Sequence, residues 1–236
     1  MELLKRALDK MEIDSQDDLI EKFRIYRDLV LKWNEKVNLT AIKDLEEFEE
    51  KHFVDSLICY SFHAFKKADR IIDIGTGAGF PGLVLAICYP EKEFVLVDSL
   101  NKRIKILDEI IDILSVKNVR TIHSRAEDLA KDKKHREKYD VSLARAVAHL
   151  SVLSEYCLPF VKVGGYFGAY KSGSIDDELD ESRKAIKILG GRYKDEISQE
   201  NDLINLDHKI VWILKSSNSP AKYPRKAGLP SKKPIV

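Results

Sequence analysis

Residues 70–82 read RIIDIGTGAGFPG, and this stretch decides the fold. Its short apolar run predicts a buried strand that ends at Asp73 and is followed by glycines at 75, 77, 79 and 82. Residues 83–88 are apolar enough to form a buried helix. A strand, a glycine turn and a helix together form the entrance to a nucleotide-type site, because glycine lets the backbone approach a ligand closely.

The glycine spacing distinguishes two kinds of nucleotide site. Dinucleotide-binding folds use G-x-G-x-x-G, whereas residues 73–79 here follow D-x-G-x-G-x-G. This pattern resembles motif I of the class I methyltransferases that use S-adenosylmethionine (SAM), a ligand without a pyrophosphate. A nicotinamide-dependent oxidoreductase is the alternative from another class of enzyme.

From residue 70 onward, strand and helix patterns alternate, which predicts a parallel α/β sheet covered on both faces. Strands are expected at 70–74, 94–97, 119–123, 140–144, 163–170, 192–197 and 208–215. Helices are expected at 81–89, 101–114, 126–131, 149–160 and 175–189. The set fits the Rossmann-like, seven-stranded and mostly parallel methyltransferase sheet, whose last strand is antiparallel.

Residues 1–65 show helical periodicity only. We expect helices around 4–11, 19–33, 44–51 and 52–62, with Ser15 capping the second and a loop at 34–40. Because no Pro/Gly linker follows, this region is interpreted as a helical cap within one domain. The expected parts are the cap at 1–65, the Rossmann-like core at 66–219 and a basic tail at 220–236.

The chain of 236 residues has a net charge of +1, so its overall charge does not indicate electrostatic attraction to nucleic acid or to a membrane. The tail carries five basic residues and no acidic one, so the remaining chain has a net charge of −4. Such a tail is a candidate contact for an anionic partner, and a solvated, disordered end is the alternative. The three cysteines are widely spaced, which favours buried thiols without a disulfide or a zinc site. With no signal peptide or membrane span, a cytoplasmic protein is expected.

Ligands of open α/β sheets lie outside the carboxyl ends of the strands, so the last residues of each strand are candidate site residues. Asp98 ends the second strand and is placed to accept both ribose hydroxyls, or else it caps the next helix. Glu127 follows the third strand and either faces adenine or forms a capping box with Ser124. Arg145 ends the fourth strand and needs an anionic partner: the methionine carboxylate of SAM, a phosphate or a neighbouring acid.

Acid–base and covalent chemistry have weak candidates in this chain. His149 lies where a helix begins, and Cys157 is interpreted as a core thiol in a helix that ends at Pro159. The fourth strand is not followed by the Asn/Asp-Pro-Pro-aromatic motif with which methyltransferases hold exocyclic amines. A guanine N7 needs no deprotonation, because its lone pair lies in the ring plane. For that acceptor, alignment alone supplies most of the acceleration.

Several longer motifs resemble the glucose-inhibited division protein B family. They are GFPG at 79–82, VDSLNKR at 97–103, SRAE at 124–127, ARA at 144–146, YPRKAGLP at 223–230, WN at 33–34, NLTA at 38–41 and HFVDSL at 52–57. The resemblance implies a bacterial methyltransferase that uses SAM to modify a guanine N7 of 16S ribosomal RNA. It also implies cofactor contacts at Gly75, Gly77, Phe80, Asp98, Ser99, Leu100, Ala126, Glu127 and Arg145; ordinary core packing is the alternative for Phe80.

Basic residues are the candidates for contacts with RNA phosphates, which give affinity without reading the base. They are Lys171, Lys222, Arg225, Lys226, Lys232 and Lys233, with Lys162 extending the same strip. We expect a monomer whose partner is 16S ribosomal RNA or a precursor of the small subunit. The alternatives of similar fold are a small-molecule methyltransferase and a noncatalytic RNA-binding assembly factor.

Overall fold

The computed structural model describes residues 1–145, 148–198 and 208–235. These ranges contain one seven-stranded sheet in the order β3-β2-β1-β4-β5-β7-β6. The strands are β1 (Arg70–Ile74), β2 (Glu93–Asp98), β3 (Val119–His123), β4 (Tyr139–Arg145), β5 (Val161–Ser172), β6 (Gly191–Ser198) and β7 (His208–Lys215). All seven predicted strands are present, and β7 runs antiparallel to both of its neighbours.

The helices that follow the first strands agree with the predicted α/β alternation. They are α5 (Gly82–Cys88), α6 (Asn101–Leu114), α7 (Ala126–Leu129), α8 (Leu150–Cys157) and α9 (Asp176–Ile188), numbered after the four helices of the N-terminal region. The helix predicted to reach residue 160 ends at Cys157 and continues as a 3-10 turn. Pro159 accounts for the change, because it has no backbone N–H to donate.

The N-terminal region is helical as predicted, but its second half is less regular than expected. Its α-helices are α1 (Glu2–Lys10), α2 (Asp17–Asn34), α3 (Leu45–Phe48) and α4 (His63–Lys66). In place of the helix predicted at 52–62, a π-helical segment, Glu49–Val54, is followed by a 3-10 helix, Leu57–Ser61. The predicted cap at Ser15 is wrong, because its hydroxyl donates to the carboxylate of Asp9 and α2 begins after Gln16.

The N-terminal helices pack directly on the sheet. One hydrophobic cluster contains residues of α1 and α2 together with α5, α6 and β1, and a second cluster covers the opposite face under α8 and α9. Tyr26 of α2 donates a hydrogen bond of 2.6 Å to the carbonyl of Ala78 in the glycine turn. The chain order reverses between β1 and β4, so a crevice opens at the carboxyl ends of these two strands. Among the described residues, no helix is both long and apolar enough to cross a bilayer.

Candidate active site

The glycine turn folds around the carboxylate of Asp73. One oxygen, Oδ2, accepts hydrogen bonds from the Thr76 hydroxyl at 2.7 Å and from the Gly82 backbone N–H at 2.9 Å. Burial raises the pKa of Asp73 to about 6, although these two hydrogen bonds oppose the shift. Its other oxygen, Oδ1, is buried without a hydrogen-bond partner among the described residues. Asp73 therefore closes the turn from within the protein.

Two glycines of the turn are needed for different reasons. Gly79 has a φ of +102°, and a Cβ there would lie 2.4 Å from the Tyr26 hydroxyl, so close packing excludes a side chain. Gly77 also has a positive φ, +61°, but a Cβ there would meet only the Gly75 carbonyl, at 4.0 Å. Gly77 thus borders open space, as expected of backbone that approaches a ligand.

Asp98 joins the end of β2 to the glycine turn. Its Oδ2 accepts from the Gly77 N–H at 3.0 Å, and its Oδ1 accepts from the Leu100 N–H at 2.8 Å. The second bond lies just before α6, so the capping alternative is part of what Asp98 does. Arg103 Nη1 also lies 3.5 Å from Oδ2. A carboxylate has about four lone-pair sites, so beside these three partners it keeps room for a ribose hydroxyl.

A cavity of about 220 Å³ opens beside this turn. Four of the residues that the sequence singled out for the cofactor line it: Gly75, Ser99, Ala126 and Glu127. Its other lining residues are Ile74, Val97, Ser124, Arg125, Ala148, Tyr156 and Ser231. Gly77 and Asp98 are not among these lining residues; they are hydrogen-bonded to each other beside Gly75 and Ser99, and Leu100 is 52% exposed. The arrangement fits an adenosine-sized ligand with polar edges.

Glu127 is held by the C-terminal tail. Its Oε1 accepts from the Gly228 N–H at 2.8 Å. The capping box with Ser124 does not form, since that hydroxyl donates to the Arg125 carbonyl and α7 has no side-chain cap. One Glu127 oxygen therefore ties the tail to the cavity wall, while the residue still lines the cavity.

Phe80 does not line the smaller cavity. Its ring is 7% exposed and stacks on His52, with ring centroids 4.3 Å apart, and on Tyr26 at 5.5 Å. The Arg145 guanidinium lies over the same ring, 5.3 Å from its centroid. Core packing therefore accounts for every contact of Phe80 described above.

Arg145 finds its anionic partner in a neighbouring acid. Its Nη1 lies 2.7 Å from Asp55 Oδ2 and also donates to the Lys51 carbonyl. The other Asp55 oxygen pairs with His208 Nδ1 at 2.7 Å. Burial favours the neutral form of Asp55, but His208 and Arg145 outweigh it and lower the pKa of this carboxyl. Ala146, the last residue of the ARA motif, lies outside the described residues.

A second cavity, of about 600 Å³, adjoins the first at Ala148, which lines both. The N-terminal region, the ends of β4, β5 and β7, and the first turn of α9 form its walls. The residues are Ile42, Lys51, His52, Asp55, Arg145, Tyr170, Lys171, Ser172, Glu178 and His208. Burial and the nearby Arg145 charge lower the pKa of His52 to about 3, so this ring is neutral. A hydrogen bond to Asp55 raises the pKa of His208.

The basic tail is bound to the body of the protein. Arg225 forms a bidentate ion pair with the buried Glu155, and the Tyr156 hydroxyl contacts Ser231 Oγ at 2.8 Å. A short helix, α10 (Leu229–Lys232), follows. The described part of the tail is thus packed and ordered, unlike the disordered alternative. Its four lysines are exposed: Lys222, Lys226, Lys232 and Lys233.

The remaining candidates have structural partners. Lys171 pairs with Glu178, and Lys162 pairs with Asp140. His149 precedes α8, where its Nε2 lies 3.2 Å from the exposed Glu181. Cys157 is buried in α8, and burial raises its pKa, so it remains a protonated core thiol.

Sequence reasoning missed several lining residues because nothing local marks them. His52 and Asp55 line the larger cavity together with His208, which lies 153 residues from Asp55 in the chain. The motif HFVDSL at 52–57 indicates a resemblance to the family but does not by itself predict a cavity. Tyr156 and Ser231 meet across 75 residues of sequence, a distance that no motif reports.

Comparison with known proteins identifies the family. The family model described as GidB, rRNA small subunit methyltransferase G, matches residues 19–208. Ribosomal RNA small subunit methyltransferase G of Clostridium tetani is 46% identical over 234 residues, which are 99% of this chain and 98% of that protein. The protein of that name from Clostridium beijerinckii is 48% identical with the same coverage.

Solved structures resemble the chain at the level of the fold. A SAM-dependent methyltransferase from Aquifex aeolicus has a TM-score of 0.54 at 16% identity, covering 75% of this chain and 97% of its own. A SAM-dependent O-methyltransferase from Thermotoga maritima has a TM-score of 0.51 at 15% identity, covering 81% and 72%. These structures confirm the predicted Rossmann-like methyltransferase fold. With the family match over most of its length, the chain belongs to the GidB family, rRNA small subunit methyltransferase G.

Proposed function

We propose that this protein transfers the methyl group of SAM to N7 of a guanine in 16S ribosomal RNA. The observation that carries the proposal is the pair of adjoining cavities at the carboxyl edge of the sheet, in a member of this family. The smaller cavity suits adenosine, and the larger one is open to an acceptor base. Membership of a methyltransferase family argues against the nicotinamide-dependent oxidoreductase.

The residues present fit SAM. Open space in front of Gly77 admits a ligand against the backbone, and Asp98 keeps a lone pair for a ribose hydroxyl. We assign the adenine end to Ser99, Ala126 and Glu127, which line the smaller cavity, and to Leu100, which follows Ser99 in the chain. Phe80 supports Arg145, so we assign it an indirect role. When bound, SAM supplies an electrophilic methyl group on a sulfonium.

For this reaction the protein must orient the acceptor base, but it need not remove a proton from it. Guanine N7 already presents its lone pair in the ring plane, and alignment of the reacting atoms lowers the barrier by several kcal/mol, about 7–11 in favourable cases. The ion pair of Arg145 with Asp55 and the stack of His52 on Phe80 fix the wall of the acceptor cavity. We therefore assign no general base.

For RNA phosphates, we propose contacts by the exposed tail lysines. Arg225 and Lys171 are each held by an acid of the same chain, so their contribution to phosphate binding is smaller. We also propose that the protein acts on RNA as a monomer in the cytoplasm.

The test is to incubate the protein with methyl-labelled SAM and unmodified 16S rRNA, a precursor particle or the assembled small subunit. We expect label at one guanine, which chain cleavage specific for N7-methylguanine then locates. Label on another atom would contradict the N7 assignment. RNA binding without methyl transfer on all three substrates would favour the assembly factor. Label only in small molecules would favour the small-molecule methyltransferase.

A further inference from the structure

The lysine, arginine and acidic side chains that line the larger cavity are already ion-paired. Arg145 is bound to Asp55, Lys171 to Glu178, and Lys51 to Glu47 outside the cavity. A cavity whose cations are neutralised in this way is poorly suited to an isolated phosphate. It is better suited to a neutral ligand that offers both donors and acceptors.

The two acidic side chains of the cavity differ in how many further hydrogen bonds they can accept. Asp55 is 3% exposed, and its two oxygens are taken by Arg145 and His208. Glu178 is 23% exposed, and its Oε1 accepts from both Lys171 Nζ and the Leu150 N–H. Within the described ranges, Glu178 Oε2 has no hydrogen-bond partner. Glu178 is thus the acid with a free oxygen.

Lys171 complements this free oxygen with a donor. Its ammonium donates to the Ala148 carbonyl at 3.0 Å and to Glu178, which uses two of its three N–H groups. The pair therefore offers one carboxylate oxygen, Oε2, whose two lone pairs can accept two hydrogen bonds, and one N–H donor. Ala148 borders both cavities, so the pair lies close to their junction.

Guanine matches this pair along its Watson–Crick edge. N1–H and the 2-amino group are adjacent donors, and O6 beside them is an acceptor, whereas adenine presents an acceptor at N1 and a donor at C6. Bases taken out of the stack by enzymes are read on this edge. N7 lies on the other side of the ring, so contact along the Watson–Crick edge leaves it free to face the methyl donor.

We propose that Glu178 and Lys171 select the acceptor guanine, with Glu178 accepting from N1–H and the 2-amino group and Lys171 donating to O6. This inference rests on the proposed function and names the specificity-determining residues of the acceptor cavity. Both residues position the base and take no part in the transfer of the methyl group.

The experiment compares single-turnover methylation of RNA that carries guanine or inosine at the mapped position. Inosine lacks only the 2-amino group and keeps N7 and O6. Wild-type protein is expected to methylate guanine roughly 5- to 150-fold faster than inosine, the range for a well-formed base contact. In Glu178→Gln the amide NH₂ faces the base donors, so the guanine rate falls by a similar factor and the preference for guanine collapses.

Matched variants separate recognition from folding. Glu181→Gln changes an exposed acid one turn away, outside the cavity lining, and should leave both rates unchanged. Lys171→Met should lower both rates alike, because both bases carry O6. Binding of SAM, measured by calorimetry, should be the same in all variants.

Two results would overturn the inference without touching the proposed function. One is a wild-type protein that methylates guanine and inosine equally well, which requires no variant. The other is Glu178→Gln with an unchanged preference for guanine. A protein that labels no guanine N7 at all would overturn the proposed function itself, and this inference with it.

Discussion

Asp98→Asn tests the ribose contact with the smallest change of shape. The amide keeps one oxygen to accept from either Gly77 or Leu100, but it turns the other acceptor into a donor and removes the charge. Hydrogen bonds to charged groups contribute about 1.5–3 kcal/mol each. Losing the charge at the ribose should therefore weaken SAM binding by about 1–3 kcal/mol, which is roughly a 5- to 150-fold higher Kd.

The same substitution acts on the free protein, so two measurements are needed. Thermal unfolding without SAM reports the loss of one of the two backbone contacts, to Gly77 or Leu100, and of the ion pair with Arg103. Isothermal titration calorimetry at a temperature where the variant is folded reports the affinity. Asp108→Asn is the matched control, since Asp108 lies on α6 and accepts from Thr121, away from the cavity. An unchanged Kd of Asp98→Asn for SAM, with a lowered melting temperature, would refute the ribose contact. Asp98 would then have only a structural role, in the glycine turn and at the start of α6.

Three further predictions concern the turn, the acceptor wall and the tail. Gly79→Ala should lower the free energy of unfolding in urea by about 2–5 kcal/mol, because the new methyl group clashes with Tyr26 and the residue is also strained at a positive φ. Gly77→Ala should lower it by only about 1–2 kcal/mol, because only the strain applies. His208→Gln should reduce the free energy of unfolding most at about pH 5–6.5. The difference in free energy of unfolding between wild type and variant should shrink as the pH rises through the raised pKa of His208, because the wild-type imidazolium then loses its proton and its ion pair with Asp55. A difference that grows with pH would contradict the ion pair. Lys222, Lys226, Lys232 and Lys233 are the exposed tail lysines, and replacing them with glutamine should make binding to RNA less dependent on salt. The slope of log affinity against log salt concentration should become shallower by about 0.7–0.9 for each lost phosphate contact. An unaltered slope would show that none of the four contacts phosphate.

The fold was predictable because strand and helix patterns in this chain are local. The run before Asp73, the glycine turn and the alternating apolar segments define the sheet without knowledge of distant contacts. Irregular helix was not predictable in the same way. The π-helical and 3-10 segments at 49–61 replace a regular helix and bury Phe53 and Val54 against the sheet, a tertiary effect that periodicity does not report.

The site was only half predictable for the same reason. Asp98 and Glu127 could be placed near the cavity because they follow strands whose carboxyl ends meet at one edge. Contacts between distant segments were not predictable: Glu127 accepts from Gly228, 101 residues away, and Asp55 pairs with His208, 153 residues away. A cap or an ion pair formed across such distances leaves no local pattern in the sequence.

The central claim is that the cavity beside Gly75 and Asp98 holds SAM and opens onto the acceptor cavity at Ala148. A crystal structure of the protein grown with SAM tests it most directly. We expect density for the ribose against Asp98, for adenine beside Ala126, and for the methyl group directed toward the cavity that Arg145 and Glu178 line. SAM bound elsewhere, or with its methyl group directed away from that cavity, would contradict the account.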